Sequence, residues 1–185
     1  MKETHQNLLK AFGGESMARN KYTFYAKKAR EEGHEWIARI FEETADNERA
    51  HAEELYEHMK GHVEMTNTYD IDVVSSTLTN LMHAAAGENF EWGKMYPEFK
   101  AVAQKEGEKK IAELFQEISE VEEKHEERYL KLAKRLKEGK MYKSTKAEDW
   151  KCLNCGYVHN GKEAPKSCPV CNKPHGWYME IGAIH

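Results

Sequence analysis

The sequence predicts a mainly α-helical protein in which a bundle of four long helices precedes a small metal-bound domain. Three observations predict this fold class. Charged residues make up 32% and hydrophobic residues 39% of the 185 residues, with only four prolines, a composition typical of exposed amphipathic helices. Apolar residues recur at steps of three and four along four segments, with breaks near Gly33, between Gly61 and Ser76, and near Gly107. All four cysteines lie between Cys152 and Cys171.

Composition and charge also exclude several classes of protein. The formal net charge is −4, and no run of lysine and arginine indicates a nucleic-acid surface. No apolar stretch approaches the length of a membrane-spanning helix, and the first residues lack the apolar core of a signal peptide. We therefore expect a soluble, cytoplasmic protein without a membrane partner.

The second and fourth helical segments each carry a Glu-x-x-His pair on the apolar stripe that faces the bundle core. These pairs are Glu48 with His51 and Glu122 with His125. Burying four ionisable groups is costly unless each of them is paired or bound to a metal. A single Glu-x-x-His pattern is weak, because a sequence this rich in both residues also produces it by chance. Two pairs on inward stripes are a much stronger indication of metal ligation.

The first and third segments supply further carboxylates to the same centre. Glu15 occupies an inward position of the first segment, Glu88 occupies one on the third, and Glu91 lies one short helical step beyond Glu88. Two Glu-x-x-His helices with one glutamate from each of two others surround a metal pair in the di-iron and di-manganese carboxylate bundles. The sequence therefore predicts a dinuclear metal site in the middle of the bundle.

The cysteines form a second predicted metal site. Cys152-x-x-Cys155 and Cys168-x-x-Cys171 are separated by twelve residues, a spacing typical of a tetrahedral four-thiolate site. The segment from residue 150 onward is too short to fold on a hydrophobic core alone, so metal binding is expected to supply much of its folding energy. Asn172 follows the second pair where Gly156 follows the first, and asparagine tolerates the positive φ expected there. The spacing leaves both zinc and a single iron open.

Several stretches resemble the ligand segments of rubrerythrins, in that family's order: residues 14–22, 48–51, 87–91 with 95–97, and 122–125. Residues 155–159 and 168–171 are similar to the rubredoxin-like end of the same family, which favours iron over a structural zinc ribbon. The resemblance implies a ferritin-like four-helix bundle over residues 1–139, a linker over 140–149 and a rubredoxin-like domain over 150–185.

The resemblance also implies roles for individual residues. Glu48 and Glu88 would bridge the two irons, and Glu91 and His51 would alternate on one iron as the site is reduced. Tyr22 and Tyr96 would donate hydrogen bonds to ligand carboxylates, although each could also be an ordinary core tyrosine. The implied catalytic residues are Glu91, His51, Tyr22 and Tyr96. The implied iron ligands are Glu15, Glu48, His51, Glu88, Glu91, Glu122 and His125 in the bundle, and Cys152, Cys155, Cys168 and Cys171 in the tail.

The function implied by the resemblance is a non-haem di-iron peroxidase of oxidative-stress defence, which reduces hydrogen peroxide to water. Electrons would reach it from NAD(P)H through a separate rubredoxin or a flavoprotein reductase, and then through the tail iron. A helix of 30 residues is about 45 Å long, so a tail at the end of the bundle would lie far from its own di-iron site. We therefore expect a head-to-tail homodimer. The alternatives are a ferritin-like ferroxidase or iron-storage protein, and a structural bundle with a zinc ribbon.

Overall fold

The computed structural model describes residues 2–62, 64–69 and 71–183, which form a helical bundle followed by a small sheet. The helices are α1 (Glu3–Glu31), α2 (Glu35–Glu57), α3 (Thr77–Phe90), α4 (Tyr96–Lys105) and α5 (Lys109–Lys137). A π-helical stretch, Glu91–Met95, joins α3 directly to α4, so these three pieces form one rod. The bundle thus has four rods, and the prediction of a mainly α protein with a small C-terminal metal domain is confirmed.

Three helices end in the same way, with a glycine that adopts the left-handed conformation. Gly33, Gly107 and Gly139 have φ values of 81°, 80° and 66°. After α1, the N–H of His34 donates to the carbonyl of Ala29 at 2.8 Å, which satisfies a carbonyl that the helix leaves unpaired. The tight turns at Gly33 and Gly107 pack α2 against α1 and α5 against α4, as the predicted breaks require.

The connection between α2 and α3 runs back along the bundle. The first backbone N–H of α3, at Thr77, donates to the carboxylate of Glu32 at 2.9 Å. Glu32 lies where α1 ends and α2 begins, whereas α2 ends at the opposite end of the bundle. The chain therefore returns along the length of the bundle between these two helices, and α2 and α3 are parallel. Ser76 caps α3 by accepting the N–H of Thr79 at 3.2 Å.

The C-terminal residues form an antiparallel sheet with strand order β2-β1-β3. Its strands are β1 (Lys143–Cys152), β2 (Val158–Glu163) and β3 (Tyr178–Glu180). Residues 143–149, within the segment predicted as a linker, form the first part of β1. Met141 and Tyr142, immediately before this strand, are buried.

The small domain packs on the end of the bundle where α1 ends. Trp150 and Tyr178 of the domain share one cluster of buried residues with Trp36 of α2. Arg135, near the end of α5, donates to the carboxylate of Glu180 at 2.6 Å. Bundle and sheet therefore share a continuous core. No helix in the described part of the chain is both long and apolar enough to cross a membrane.

Candidate metal centres

The middle of the bundle holds two overlapping groups of potential metal ligands. The first group is Glu15, Glu48, His51 and Glu122, and the second is Glu48, Glu88, Glu122 and His125. Within each group the ligand atoms all lie within 4.8 Å of one another. Four helices contribute to these groups: α1, α2, α3 and α5. The inward face of each places one glutamate at the same height in the bundle.

Glu48 and Glu122 belong to both groups because each of them lies between the two histidines. The Nδ1 atom of His51 is 3.0 Å from Glu48 and 2.9 Å from Glu122. The Nδ1 atom of His125 is 3.3 Å from Glu48 and 2.7 Å from Glu122. These two carboxylates, from the facing Glu-x-x-His motifs, are therefore placed to bridge a metal pair.

This geometry favours Glu122, rather than the expected Glu88, as the carboxylate that bridges together with Glu48. Glu88 belongs to the second group alone, where its carboxylate is 3.8 Å from Nδ1 of His125. The reason is the arrangement of the rods. The two motif helices place Glu48 and Glu122 between their histidines, whereas α3 approaches the centre from the side of His125.

Burial makes this cluster costly without a cation. Glu15, Glu48 and Glu122 have no exposed surface, and Glu88 is 1% exposed. Burial raises the pKa of Glu15 and of Glu88 well above the usual range of a carboxyl group. Burial opposes ionisation of Glu48 as well, but contacts with His125 and His51 lower its pKa to about 2. The site thus mixes carboxyl groups of very different proton affinity.

Unpartnered polar atoms inside the cluster fit a bound metal pair. Among the described residues, several buried ligand atoms make no hydrogen bond of acceptable geometry, although some lie close to one another: Oε2 of Glu15, Oε1 of Glu48, both carboxylate oxygens of Glu122, and Nδ1 of His125. Buried polar atoms are rarely left unsatisfied, because each unsatisfied atom costs free energy. Carboxylate oxygens and imidazole nitrogens are the donor atoms of di-iron carboxylate sites, so two metal ions would satisfy this set.

Glu91 is the one predicted bundle ligand that belongs to neither group. It is the first residue of the π-helical stretch, it is half-buried, and its Oε2 atom has no hydrogen-bond partner in the described part of the chain. Burial, with the nearby carboxylates of Glu122 and Glu48, raises the pKa of Glu91 to about 8. Glu91 therefore belongs to the same electrostatic cluster, although its carboxylate lies at the edge of the ligand groups.

Both predicted tyrosines contact ligand carboxylates. The hydroxyl of Tyr22 donates to Oε1 of Glu88 at 2.6 Å, and the hydroxyl of Tyr96 donates to Oε1 of Glu15. Tyr22 is 1% exposed and Tyr96 is fully buried. Each hydroxyl therefore orients one carboxylate that belongs to a single ligand group.

The four cysteines converge in the small domain. The Sγ atoms of Cys152 and Cys171 are 3.7 Å apart, and those of Cys155 and Cys168 are 3.6 Å apart. A tetrahedral ion with metal–sulfur bonds of about 2.3 Å separates its ligand atoms by about 3.8 Å, so the spacing fits. Asn172 has a φ of 59°, as its place after the second pair predicts, and its N–H donates to the carbonyl of Cys168 at 2.9 Å.

The fold and these two sites define a dinuclear carboxylate bundle fused to a four-thiolate domain. The family model of rubrerythrin matches residues 6–133, and the model of the rubrerythrin rubredoxin-like domain matches residues 150–178. The chain therefore belongs to the rubrerythrin family. Its bundle cluster is a di-iron site, and its four cysteines form the rubredoxin-like metal site.

Individual relatives extend over nearly the whole chain. Rubrerythrin of Porphyromonas gingivalis is 44% identical over 177 residues, which cover 95% of this chain and 88% of that protein. Rubrerythrin of Nitratidesulfovibrio vulgaris is 41% identical over 180 residues, with coverages of 97% and 94%. A solved structure of nigerythrin in a mixed-valence state superposes with a TM-score of 0.66 at 35% identity, covering 97% of this chain and 87% of that one.

Proposed function

We propose that this protein is a peroxidase that reduces hydrogen peroxide to water at the di-iron site of the bundle. The observation that carries the proposal is the fusion, in one chain, of a di-iron site with a four-thiolate site. A ferroxidase or an iron-storage protein needs the first site but has no evident use for the second. Peroxide reduction has a use for both, because each turnover consumes two electrons that have to be replaced.

Each of the two ligand groups would hold one metal ion. Glu48 and Glu122 would bridge them, Glu15 and His51 would complete one position, and Glu88 and His125 the other. When bound, the iron pair supplies the electrons that cleave the O–O bond of the peroxide. The carboxylate of Glu88 is held by the hydroxyl of Tyr22, and the carboxylate of Glu15 by the hydroxyl of Tyr96.

His51 and Glu91 are the two residues of the centre that are only partly buried. The side chain of His51 is 13% exposed, more than those of the other residues in the two groups. Glu91 lies at the edge of the cluster with an unpartnered carboxylate oxygen. Their placement supports the hypothesis that these two side chains alternate on one metal position, while the fully buried ligands stay in place.

Electrons would return through an iron held by the four cysteines. A tetrahedral thiolate site needs little rearrangement between its two oxidation states, so iron there is suited to pass single electrons. A solved structure of nigerythrin, described as fully reduced and all ferrous, supports iron as the metal in a protein similar to this chain. The proposed reductant is another protein, a rubredoxin or a flavoprotein that draws on NAD(P)H. The cytoplasmic location expected from the sequence stays a prediction.

The position of the small domain supports a head-to-tail homodimer. Within one chain the domain packs where α1 ends, at Glu31, which is 16 residues beyond Glu15. Sixteen residues of α-helix span about 24 Å, a long path for direct electron transfer. In the dimer we propose, the four-cysteine centre of each chain serves the di-iron site of the partner subunit.

Metal content and visible absorption of the anaerobically purified protein test the proposal. We expect three irons per chain, one for each ligand group, and a thiolate-to-iron band that bleaches on reduction and returns with stoichiometric hydrogen peroxide. Glu122→Gln is the matched control, because it alters a carboxylate shared by both bundle groups and leaves the cysteines intact. In this variant the band should return much more slowly.

Zinc at the cysteines, with no such band, would contradict the proposed electron relay. Many irons per chain in a large assembly would instead favour a ferroxidase or iron-storage protein. A band that returns equally fast in Glu122→Gln would show that peroxide oxidises the tail directly, and the peroxidase proposal would then be wrong.

A further inference from the structure

The π-helical stretch between α3 and α4 leaves one backbone carbonyl without a partner in its own rod. The N–H of Tyr96 donates to the carbonyl of Glu91, five residues earlier, rather than to that of Trp92, four residues earlier. At the same spacing of five, the donor for the Trp92 carbonyl would be residue 97. Residue 97 is proline, which has no N–H.

A serine on α5 supplies the missing hydrogen bond. The hydroxyl of Ser119 donates to the carbonyl of Trp92 at 3.2 Å, and the residue is 9% exposed. The indole N–H of Trp92 donates to the carboxylate of Glu126, also on α5, at 2.6 Å. The π-helical stretch is therefore fastened to α5 through both the backbone and the side chain of Trp92.

These two attachments lie on either side of a metal ligand. Ser119, Glu122 and Glu126 follow steps of three and four along α5, so they share one face of the helix. Glu91 immediately precedes Trp92. Fastening Trp92 to α5 therefore sets the height of Glu91 relative to Glu122, and π-helical turns inside α-helices are frequently found at functional sites.

We infer that Ser119 is a positioning residue of the di-iron site. By donating to the Trp92 carbonyl it compensates for Pro97, keeps the π-helical turn at Glu91–Met95, and so holds the carboxylate of Glu91 at the edge of the ligand groups. This role of Ser119 acts on metal binding, so it does not depend on whether peroxide is the substrate.

The test is a titration of the metal-free full-length chain with Co²⁺ under anaerobic conditions. Calorimetry and visible absorption monitor the binding. In Ser119→Ala the Trp92 carbonyl loses its donor, and we expect one of the two bundle positions to bind about 10- to 100-fold more weakly. Ser119→Thr keeps a hydroxyl and should restore the affinity. The thiolate charge-transfer band of the four-cysteine site should be unchanged in both variants.

Thr23→Ala is the matched control. The Thr23 hydroxyl also donates to a backbone carbonyl, that of Arg19 at 3.0 Å, but it lies on the exposed side of α1, where the helix itself supplies an N–H. Its Co²⁺ affinities should equal those of the unmodified protein. A loss as large as that of Ser119→Ala would show that removing any helical hydroxyl has this effect, and would overturn the inference.

A double-variant cycle with Pro97→Ala makes the test specific. Alanine at residue 97 restores an N–H, so the Trp92 carbonyl regains a donor within its own rod. In that background Ser119→Ala should change Co²⁺ affinity by less than about twofold. If Ser119→Ala lowers Co²⁺ affinity equally in the unmodified protein and in the Pro97→Ala background, the inference is overturned. Unchanged Co²⁺ affinity at both bundle positions in Ser119→Ala alone would also overturn it. If Ser119→Ala does not fold, recovery of helical circular dichroism in the double variant would support the role of Ser119. A double variant that also fails to fold would contradict that role.

Discussion

At the scale of single residues, Glu122 and Glu15 have the same chemistry and the same complete burial but different positions. Glu122 contacts both histidines of the bundle, at 2.9 Å and 2.7 Å, whereas Glu15 lies near His51 alone, at 3.7 Å. A carboxylate between two metal positions supports both of them. A terminal carboxylate supports one.

Metal stoichiometry of isosteric variants tests this difference. We expect Glu122→Gln to lower the affinity of both bundle positions, so that less than one iron per chain remains in the bundle at a concentration that saturates the unmodified protein. Glu15→Gln should lower the affinity of one position and leave the other occupied. Iron content after anaerobic loading and desalting measures both, and equal losses in the two variants would show that Glu122 does not bridge.

Much of this site could be predicted from the sequence. Glutamates and histidines on otherwise apolar stripes indicated that helical faces bury ionisable groups, and six of the seven predicted ligands lie in the two groups of the structure. Which carboxylates bridge could not be predicted in this way. Bridging depends on the relative height of the rods, which hydrophobic periodicity does not report.

At the scale of secondary-structure elements, Glu32 joins the end of α1 to the start of α3. Its carboxylate accepts the N–H of Thr77 at 2.9 Å and lies 3.4 Å from the ammonium group of Lys28. A negative charge at the N-terminus of a helix interacts favourably with the helix dipole. Partial burial opposes ionisation, but the Thr77 and Lys28 contacts lower the pKa of Glu32 below its usual value.

This lowered pKa predicts a pH-dependent contribution to stability. Because the folded-state pKa lies below the unfolded-state value, the contribution is complete above the unfolded-state pKa and is lost as pH falls through the folded-state pKa. Near pH 7, we expect Glu32→Gln to lower the free energy of unfolding by about 0.5 kcal/mol, a small value because the carboxylate is partly exposed. The difference from the unmodified protein should vanish at low pH in urea titrations.

Glu31→Gln provides the control for this prediction. Glu31 is the preceding residue, its side chain is 54% exposed, and its ion pair with Lys28 is long, at 3.8 Å. We expect little change in its free energy of unfolding at any pH. A difference for Glu32→Gln that persists unchanged into acid would mean that the Glu32 contact does not depend on charge.

The helices were predictable as elements, but two local features were not. In the π-helical turn, Pro97 leaves the Trp92 carbonyl without a donor on its own rod, and Ser119 on another rod supplies one; only the proline is visible as a local signal. Lys143, Glu148 and Asp149 pair with β2, with an irregularity between the first two, and so extend the sheet into the segment predicted as a linker. Their sequence is polar and lacks strict alternation, so the strand depends on its partner rather than on its own pattern.

At the scale of the whole molecule, the shared core fixes the four-cysteine domain at one end of its own bundle. Gly176 packs so closely on the turn after α1 that an added Cβ atom would lie 1.7 Å from the carbonyl oxygen of Gly33. Arg135 and Glu180 add an ion pair of 2.6 Å, with both side chains largely buried. The small domain is therefore docked on the end of its own bundle, away from the di-iron site of the same chain.

Complementation between two inactive variants tests whether electrons cross between subunits. Glu122→Gln impairs the di-iron site and keeps the cysteines, whereas Cys155→Ser impairs the four-cysteine site and keeps the bundle ligands. In a head-to-tail dimer formed from one chain of each, the intact tail of the first lies beside the intact bundle of the second. We expect co-expressed, affinity-purified mixed dimers to regain peroxidase turnover that neither variant shows alone. Metal content of each parent verifies its remaining site, and inactive mixed dimers would show that electrons travel within one chain.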